Sequence, residues 1–379
     1  MMKLSDRIES VQESGTVRFM AIIDRLRSEG REVINFAVGE PDMETPAEVI
    51  EHTKLALDLK RTRYSAVAGL VELKAAISRQ FDGYAAENII ISNGSKHALY
   101  SIFQVICNPG DEVIILRPYW VSFSEMVKLA GAKPVYADTI DHQPDINAIE
   151  KAVTPATKAI LVNSPNNPTG AVYPKEILRH IADIAQKNDL FLIADEAYEP
   201  FIYDGLTPSG LFDFPDIRDR LIVIGSFSKR FAMTGFRIGY TAASPELVQA
   251  MSKFQGHCTG NVCTFAQCGA LKALEIDRAE LEKYRAVLEK KRDTAFTEVS
   301  KLFSCVRPQG AFYLFPDVSS HLKNGETSAD FSTRLLEQAG VAVVPGESFG
   351  MGGHVRISYA VEHEILKAGF EKIGRMLNQ

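Results

Sequence analysis

Between Asn88 and Ala242, short runs rich in β-branched and aliphatic residues alternate with stretches of helical period, and this rhythm limits the fold more than any other feature. The runs are Asn88–Ser92, Glu112–Leu116, Lys133–Ala137, Lys158–Asn163, Leu190–Ala194, Leu221–Gly225 and Arg237–Ala242. Helix-period segments such as Lys96–Ile106 and Lys175–Asn188 lie between them. A largely parallel sheet covered by helices on both faces has this signature. The expected class is therefore α/β, built on a large, mostly parallel seven-stranded sheet.

The character changes near Leu281. Leu281–Phe303 reads as one long charged helix. A strand (Ala311–Phe315), a helix from Thr327-Ser328 to before Gly340, two short strands (Val341–Val344 and His354–Tyr359) and a last helix (Glu362–Leu377) follow. In that last helix Leu366, Phe370, Ile373 and Leu377 share one face. This is a smaller α+β unit. The first forty residues, with a helix over Thr16–Glu29 and a strand leading to Gly39-Glu40-Pro41, are expected to pack against it. The expected division is a large domain of residues 41–284 and a small domain of 1–40 plus 285–379.

A chain of 379 residues suits that two-part division. Its 42 basic and 48 acidic residues give a formal charge of −6, which speaks against a sequence-independent nucleic-acid binder. The basic run Lys290-Lys291-Arg292 lies on the long helix and reads as a solvated face. Cys258, Cys263 and Cys268 repeat every five residues, without the CxxC pairs of a structural zinc site. Free thiols in a reducing compartment are the expectation, with no metal. Met1–Asp6 lacks the apolar core of a signal peptide, and no run reaches transmembrane length. A soluble cytoplasmic protein without membrane or nucleic-acid partners is expected.

In an open α/β sheet, ligands collect at the carboxyl ends of the strands. The polar motifs fall there. Asn93-Gly94-Ser95-Lys96 follows the first strand, Pro118-Tyr119-Trp120 the second, and Ser164–Gly170 (SPNNPTG) the fourth. Asp195-Glu196-Ala197-Tyr198 follows the fifth and Ser226-Phe227-Ser228-Lys229 the sixth. A lysine at an apolar strand end loses solvation, and its amine becomes nucleophilic near neutral pH; an ordinary salt-bridged lysine is the alternative. Ser226, Ser228 and Arg237 are donors that suit a phosphate. The backbone of Ser95 and Lys96, opening a helix, either binds an anion or is simply capped. Asp195 ends an apolar strand, where a carboxylate needs a cation: a protonated ring nitrogen, or a structural ion pair. Trp120, the sole tryptophan, is either a core residue or a stacking platform. Asn167 and Tyr198 are within reach of a phenolic oxygen. Arg356, mid-strand in His354–Tyr359, needs a carboxylate, from a substrate or from the chain itself. Together, a Schiff-base lysine, a phosphate cup and a carboxylate facing a pyridinium describe pyridoxal 5′-phosphate.

The motifs SPNNPTG, Asp195–Tyr198, Ser226-x-Ser-Lys229 with Arg237, and His354–Ala360 (HVRISYA) resemble, in order and spacing, the class I aminotransferases of PLP fold type I. PYW, NSPNNPTGAVY and AMTGxRIGY are similar to the bacterial aspartate aminotransferase branch. The resemblance runs from about Ser5 to the C-terminus. It implies that Lys229 binds the cofactor aldehyde and shuttles the proton, that Asp195 pairs with the ring nitrogen, and that Trp120 stacks on the ring. Asn167 and Tyr198 would bind the phenolic oxygen, and Ser226, Arg237, Ser95 and Lys96 the phosphate. Tyr64 would reach that phosphate from the partner subunit of a homodimer. Arg356, with Asn167 and the backbone at Gly39, would hold the substrate α-carboxylate. Lys96 would engage the distal carboxylate of an acidic substrate.

The implied activity is a ping-pong transfer of the amino group from L-aspartate to a 2-oxo acid, 2-oxoglutarate in the first instance. Relatives often carry Lys-Pro-Ser-x-Thr where this chain has Gln12–Thr16, which weakens the case for prephenate. Ala66, Arg230 and Phe236 are further departures, and none removes a catalytic group. Neutral or aromatic aminotransfer and a β-C–S lyase remain alternatives. A regulator on this fold is disfavoured, because the resemblance begins too early for a helix-turn-helix module; a cofactor-free scaffold would have lost Lys229 or Asp195.

Overall fold

The computed structural model describes residues 4–11, 22–23, 25–26 and 28–378. The segment Gln12–Thr16 and part of the helix expected over Thr16–Glu29 lie outside them. Near the N-terminus runs a two-residue strand, β1 (Ile34–Asn35). The central sheet then takes β2 (Ile89–Ser92), β3 (Glu112–Arg117), β4 (Lys133–Ile140), β5 (Gln143–Pro144), β6 (Thr157–Asn163), β7 (Phe191–Asp195), β8 (Leu221–Ser226) and β9 (Gly239–Ala242). Their order across the sheet is β2-β9-β8-β7-β6-β3-β4-β5. Neighbours pair in parallel except at β9, antiparallel to both β2 and β8, and at β5, antiparallel to β4.

β2, β3, β6, β7 and β8 read as near-continuous apolar runs because each buries both faces. Ile91, Ile114, Ile160, Leu192 and Val223 point into one core, and their chain neighbours Ile90, Val113, Leu161, Ile193 and Ile222 into the other. Helices supply the opposing surfaces. Lys175–Lys187 buries Leu178, Ile181, Ala182 and Ala185, and Ser95–Ile106 buries Ala98, Leu99, Ile102, Phe103 and Ile106. Both are single apolar stripes of helical period.

A third core gathers the C-terminal elements around Leu288, Ala295, Phe312, Val343, Leu366 and Phe370, and takes in Phe36. Here lie β10 (Tyr313–Leu314), β11 (Val341–Ala342), β12 (Val344–Pro345) and β13 (Val355–Ser358). β1 pairs in parallel with β11, so the N-terminal strand is tied to the C-terminal elements. β10, β13 and β12 form an antiparallel sheet. The long helix spans Arg278–Val299, and the last one His363–Leu377.

Several expected bounds move for identifiable reasons. An eighth strand, β5, joins the seven through the hairpin turn at Asp141-His142, where both residues have positive φ. Arg237 is not in a strand: its φ of 55° is left-handed, and β9 starts two residues later. Ala311, at φ 55°, cuts the strand expected over Ala311–Phe315 to two residues. The run Val341–Val344 divides between two sheets, one half pairing with β1 and the other with β13.

The β4–β5 turn lies against the C-terminal sheet. The His142 ring is 5.9 Å from Phe315 and 6.2 Å from His354, two residues before Arg356. Burial, and then the nearby His354, depress the His142 pKa to about 4, against a smaller opposite pull from Asp141. The folded protein therefore keeps His142 neutral well below the value near which the unfolded chain protonates it, about 6.5. Between these values the unfolded state binds the extra proton, so this contribution to stability is lost as the pH falls from 6.5 towards 4. His142→Asn, a residue that tolerates the left-handed turn, should flatten that part of the profile. Urea unfolding at pH 4.5 and 7 checks this: the wild type should lose more stability on acidification than the variant.

Candidate functional site

The strand register assembles the site. Asn163 lies opposite Asp195, and Asp195 opposite Ile224, at the carboxyl ends of β6, β7 and β8. Gly239 pairs with both Ser92 and Ser226. Because β9 runs antiparallel, its start meets the ends of its neighbours, and Arg237, just before it, comes to the same sheet edge.

At that edge Lys229 closes a single helical turn, Phe227–Arg230, and Ser226 is its N-cap, accepting a hydrogen bond from the Ser228 N–H at 3.2 Å. That leaves the Ser226 hydroxyl proton to donate elsewhere. The Lys229 amine donates to the Gly39 carbonyl. Burial depresses its pKa to about 8; Glu40 opposes the shift, and Arg356, Arg237 and Lys96 add to it. The amine therefore gives up its proton far more readily than an ordinary lysine, with about a tenth of it uncharged at pH 7. Arg230, next in the chain, lies 3.7 Å from Glu199, donates to Gln80 and lines a cavity with Glu196 and Ser226.

Asp195 is buried, and a carboxylate oxygen accepts one hydrogen bond, from the Ala197 N–H at 3.1 Å. It has no cationic partner among the described residues, and burial raises its pKa to about 6. Arg356 is 5% exposed. It donates to the Asn167 side-chain oxygen at 3.0 Å and to the Ala37 carbonyl at 2.8 Å, while its Nε is buried without a partner. No carboxylate pairs with it among the described residues. Tyr198 shares a hydrogen bond of 2.7 Å with Tyr313, and burial lifts its pKa well above the phenol range.

Beside β2, Gly94 is the N-cap of Ser95–Ile106 and offers no side chain, so the Ser95 and Lys96 N–H groups are open at the helix start. Lys96 holds its amine 5.0 Å over the Trp120 ring. Burial, and then Arg237, hold its pKa below the ordinary lysine value. Arg237 donates to the Thr234 carbonyl at 2.8 Å. Tyr64 stands apart, 98% exposed, and contributes nothing to its own chain's cleft. Tyr313, not singled out above, is buried between Tyr198 and Arg356. In the sequence it looks like one more apolar strand residue.

The cleft thus combines an amine of lowered basicity, an anion cup, a buried carboxylate and a buried guanidinium. A family model, aminotransferase class I and II, matches residues 31–373. The aspartate aminotransferase of Bacillus subtilis is 37% identical, and the aspartate/prephenate aminotransferase of Thermus thermophilus 40% identical, each alignment covering 100% of both chains. The structure of the Thermus thermophilus aspartate aminotransferase with maleate superposes with a TM-score of 0.94 at 40% identity, covering 99% of this chain and 100% of that one. The chain belongs to the class I and II aminotransferases.

Gly94 is a sharp constraint on the anion cup. Its φ is +80°, and a β-carbon there would lie 2.4 Å from Arg237 Nη2. The guanidinium can give way but the backbone cannot, so Gly94→Ala should cost about 1–3 kcal/mol and displace Arg237. Chemical denaturation measures the first effect and weakened binding of inorganic phosphate the second.

Proposed function

We propose that the protein is an aspartate aminotransferase that works with pyridoxal 5′-phosphate and passes the amino group to 2-oxoglutarate in a ping-pong cycle. The observation that carries this reading is Asp195, a buried carboxylate lacking a cation, at the same sheet edge as the dehydrated Lys229 amine. The residues fit the cofactor. A cationic ring nitrogen would neutralise Asp195, an aldehyde suits Lys229, and a phosphate suits the donors at Ser226, Arg237 and the N–H groups of Ser95 and Lys96. When bound, the cofactor supplies an electron sink for the bond broken at the substrate α-carbon.

The chain's own groups do the rest. Lys229 would carry the proton to and from the α-carbon, a role its lowered pKa suits. Asn167 and Tyr198 would hold the phenolic oxygen of the cofactor, and Trp120 would cover its ring. Arg356 grips the α-carboxylate beside Asn167 and Gly39, giving its unpartnered Nε a use. Lys96 meets the distal carboxylate; maleate, present in the Thermus structure, is likewise a dicarboxylate. We assign Lys229 to a large unit of residues 41–284, and Gly39 and Arg356 to a small one of 1–40 plus 285–379, so that substrate is held between the two. The exposed Tyr64, with Leu55, Leu57 and Leu59 exposed nearby in the chain, fits a homodimer in which Tyr64 reaches the partner's phosphate cup. The free cysteines suit a reducing compartment, and we place the protein in the cytoplasm.

The test is the visible spectrum of the protein reconstituted with the cofactor and titrated with L-aspartate, L-alanine and L-phenylalanine, without an acceptor. Aspartate should bleach the cofactor band at far lower concentration than the other two. Lys96→Ala should erase most of that preference, and Lys229→Ala should abolish turnover. Bleaching by a neutral or aromatic amino acid alone would move the substrate, and release of a β-substituent would make the enzyme a lyase. Failure to hold the cofactor would remove the whole reading.

A further inference from the structure

Tyr313, in β10, is fully buried, and the roles assigned above leave it unused. Its hydroxyl lies 2.7 Å from that of Tyr198. The Arg356 guanidinium carbon sits 4.4 Å from its ring centroid. A β-carbon on Gly39 would come within 3.0 Å of the same hydroxyl. One side chain thus touches a proposed phenol donor, a proposed carboxylate clamp, and the residue whose carbonyl receives the Lys229 amine.

We propose that Tyr313 is a positioning residue for transamination: its hydroxyl sets the direction in which Tyr198 donates, and its ring holds the Arg356 guanidinium in place. This inference rests on the aminotransferase reading. A phenol has one proton to donate and lone pairs to accept. If Tyr198 is to donate into the cleft, it must accept from Tyr313; with the polarity reversed, its proton is spent on Tyr313. The surroundings set that polarity. Burial raises both pKa values, and Arg356 opposes the rise in each. The Arg356 guanidinium lies over the Tyr313 ring, 4.4 Å from its centroid, and a cation there favours Tyr313 as the donor of the pair. The second function is separate from the first. The face of an aromatic ring attracts a cation, so the Tyr313 ring adds to the hold that Asn167, Ala37 and the Phe349 ring have on this guanidinium.

Two substitutions separate the two functions. Tyr313→Phe keeps the ring and removes the hydroxyl, so kcat for aspartate should fall roughly three- to tenfold, the worth of one buried neutral hydrogen bond, with KM changed by less than about twofold. Tyr313→Leu removes the ring as well, and KM should then rise on the order of tenfold. In a double-mutant cycle, Tyr198→Phe with Tyr313→Phe should be no slower than Tyr198→Phe alone, because the second hydroxyl acts through the first. A merely structural tyrosine would not produce this split between KM and kcat. A wild-type kcat in Tyr313→Phe would overturn the proposal, as would multiplicative losses in the double variant or equal KM increases in the Phe and Leu variants. Wild-type turnover in the same assay keeps failure of this inference distinct from failure of the aminotransferase reading. Tyr→Phe is nearly isosteric, so these comparisons are made on a folded protein.

Discussion

Positive charge crowded at one end of a sheet governs this molecule. Burial lowers the pKa of Lys229, Glu40 opposes that shift, and Arg356, Arg237 and Lys96 each add to it. Like charges held together in a poorly solvated cleft repel one another, and the protein has two ways to relieve the strain: release a proton or bind anions. Lys229 takes the first route, its proton being the one most easily lost. The others call for anionic ligands, which a phosphate and a substrate bearing two carboxylates would supply. Asp195 is the inverse case, a buried anion awaiting a cation. Substrate class and cofactor class are therefore two consequences of one electrostatic imbalance.

The sheet topology makes that imbalance possible. Parallel strands deliver their carboxyl ends to a common edge, which brings Asn163, Asp195 and Ser226 together. An all-parallel sheet would also send the residues preceding each strand to the far edge. The reversal of β9 breaks that rule at Arg237. The left-handed turn there and the lack of a side chain at Gly94 let a guanidinium settle over a helix start, where both contribute positive charge.

Much of this was legible in the sequence. All seven long strands stand where the alternation of apolar runs placed them, within a few residues at their ends, because strands buried on both faces leave a continuous apolar trace. Motifs at strand ends marked Lys229, Asp195, Ser226 and Asn167, since polar groups at the end of an apolar strand need a reason to be there. Backbone conformation was less legible. Nothing in Arg237 or Ala311 announces a positive φ, as a glycine or asparagine would. The segment Val341–Val344 is apolar throughout, so composition could not reveal that two sheets share it. Tyr313 was hidden for a related reason: in a strand of aromatic and aliphatic residues, a phenol looks like packing until the partner of its hydroxyl is known.

The β4–β5 turn has a consequence beyond its contact with the C-terminal sheet. β4 lies near the border of the large sheet, and an open border offers unpaired amide and carbonyl groups to any other extended chain. Only two residues follow the turn in β5, and the second, Pro144, has no N–H to donate. The ladder therefore stops there, and at Thr139 and Ile140 a passing strand finds little to pair with. The hairpin that brings His142 beside His354 also guards that corner of the sheet against association with its own kind.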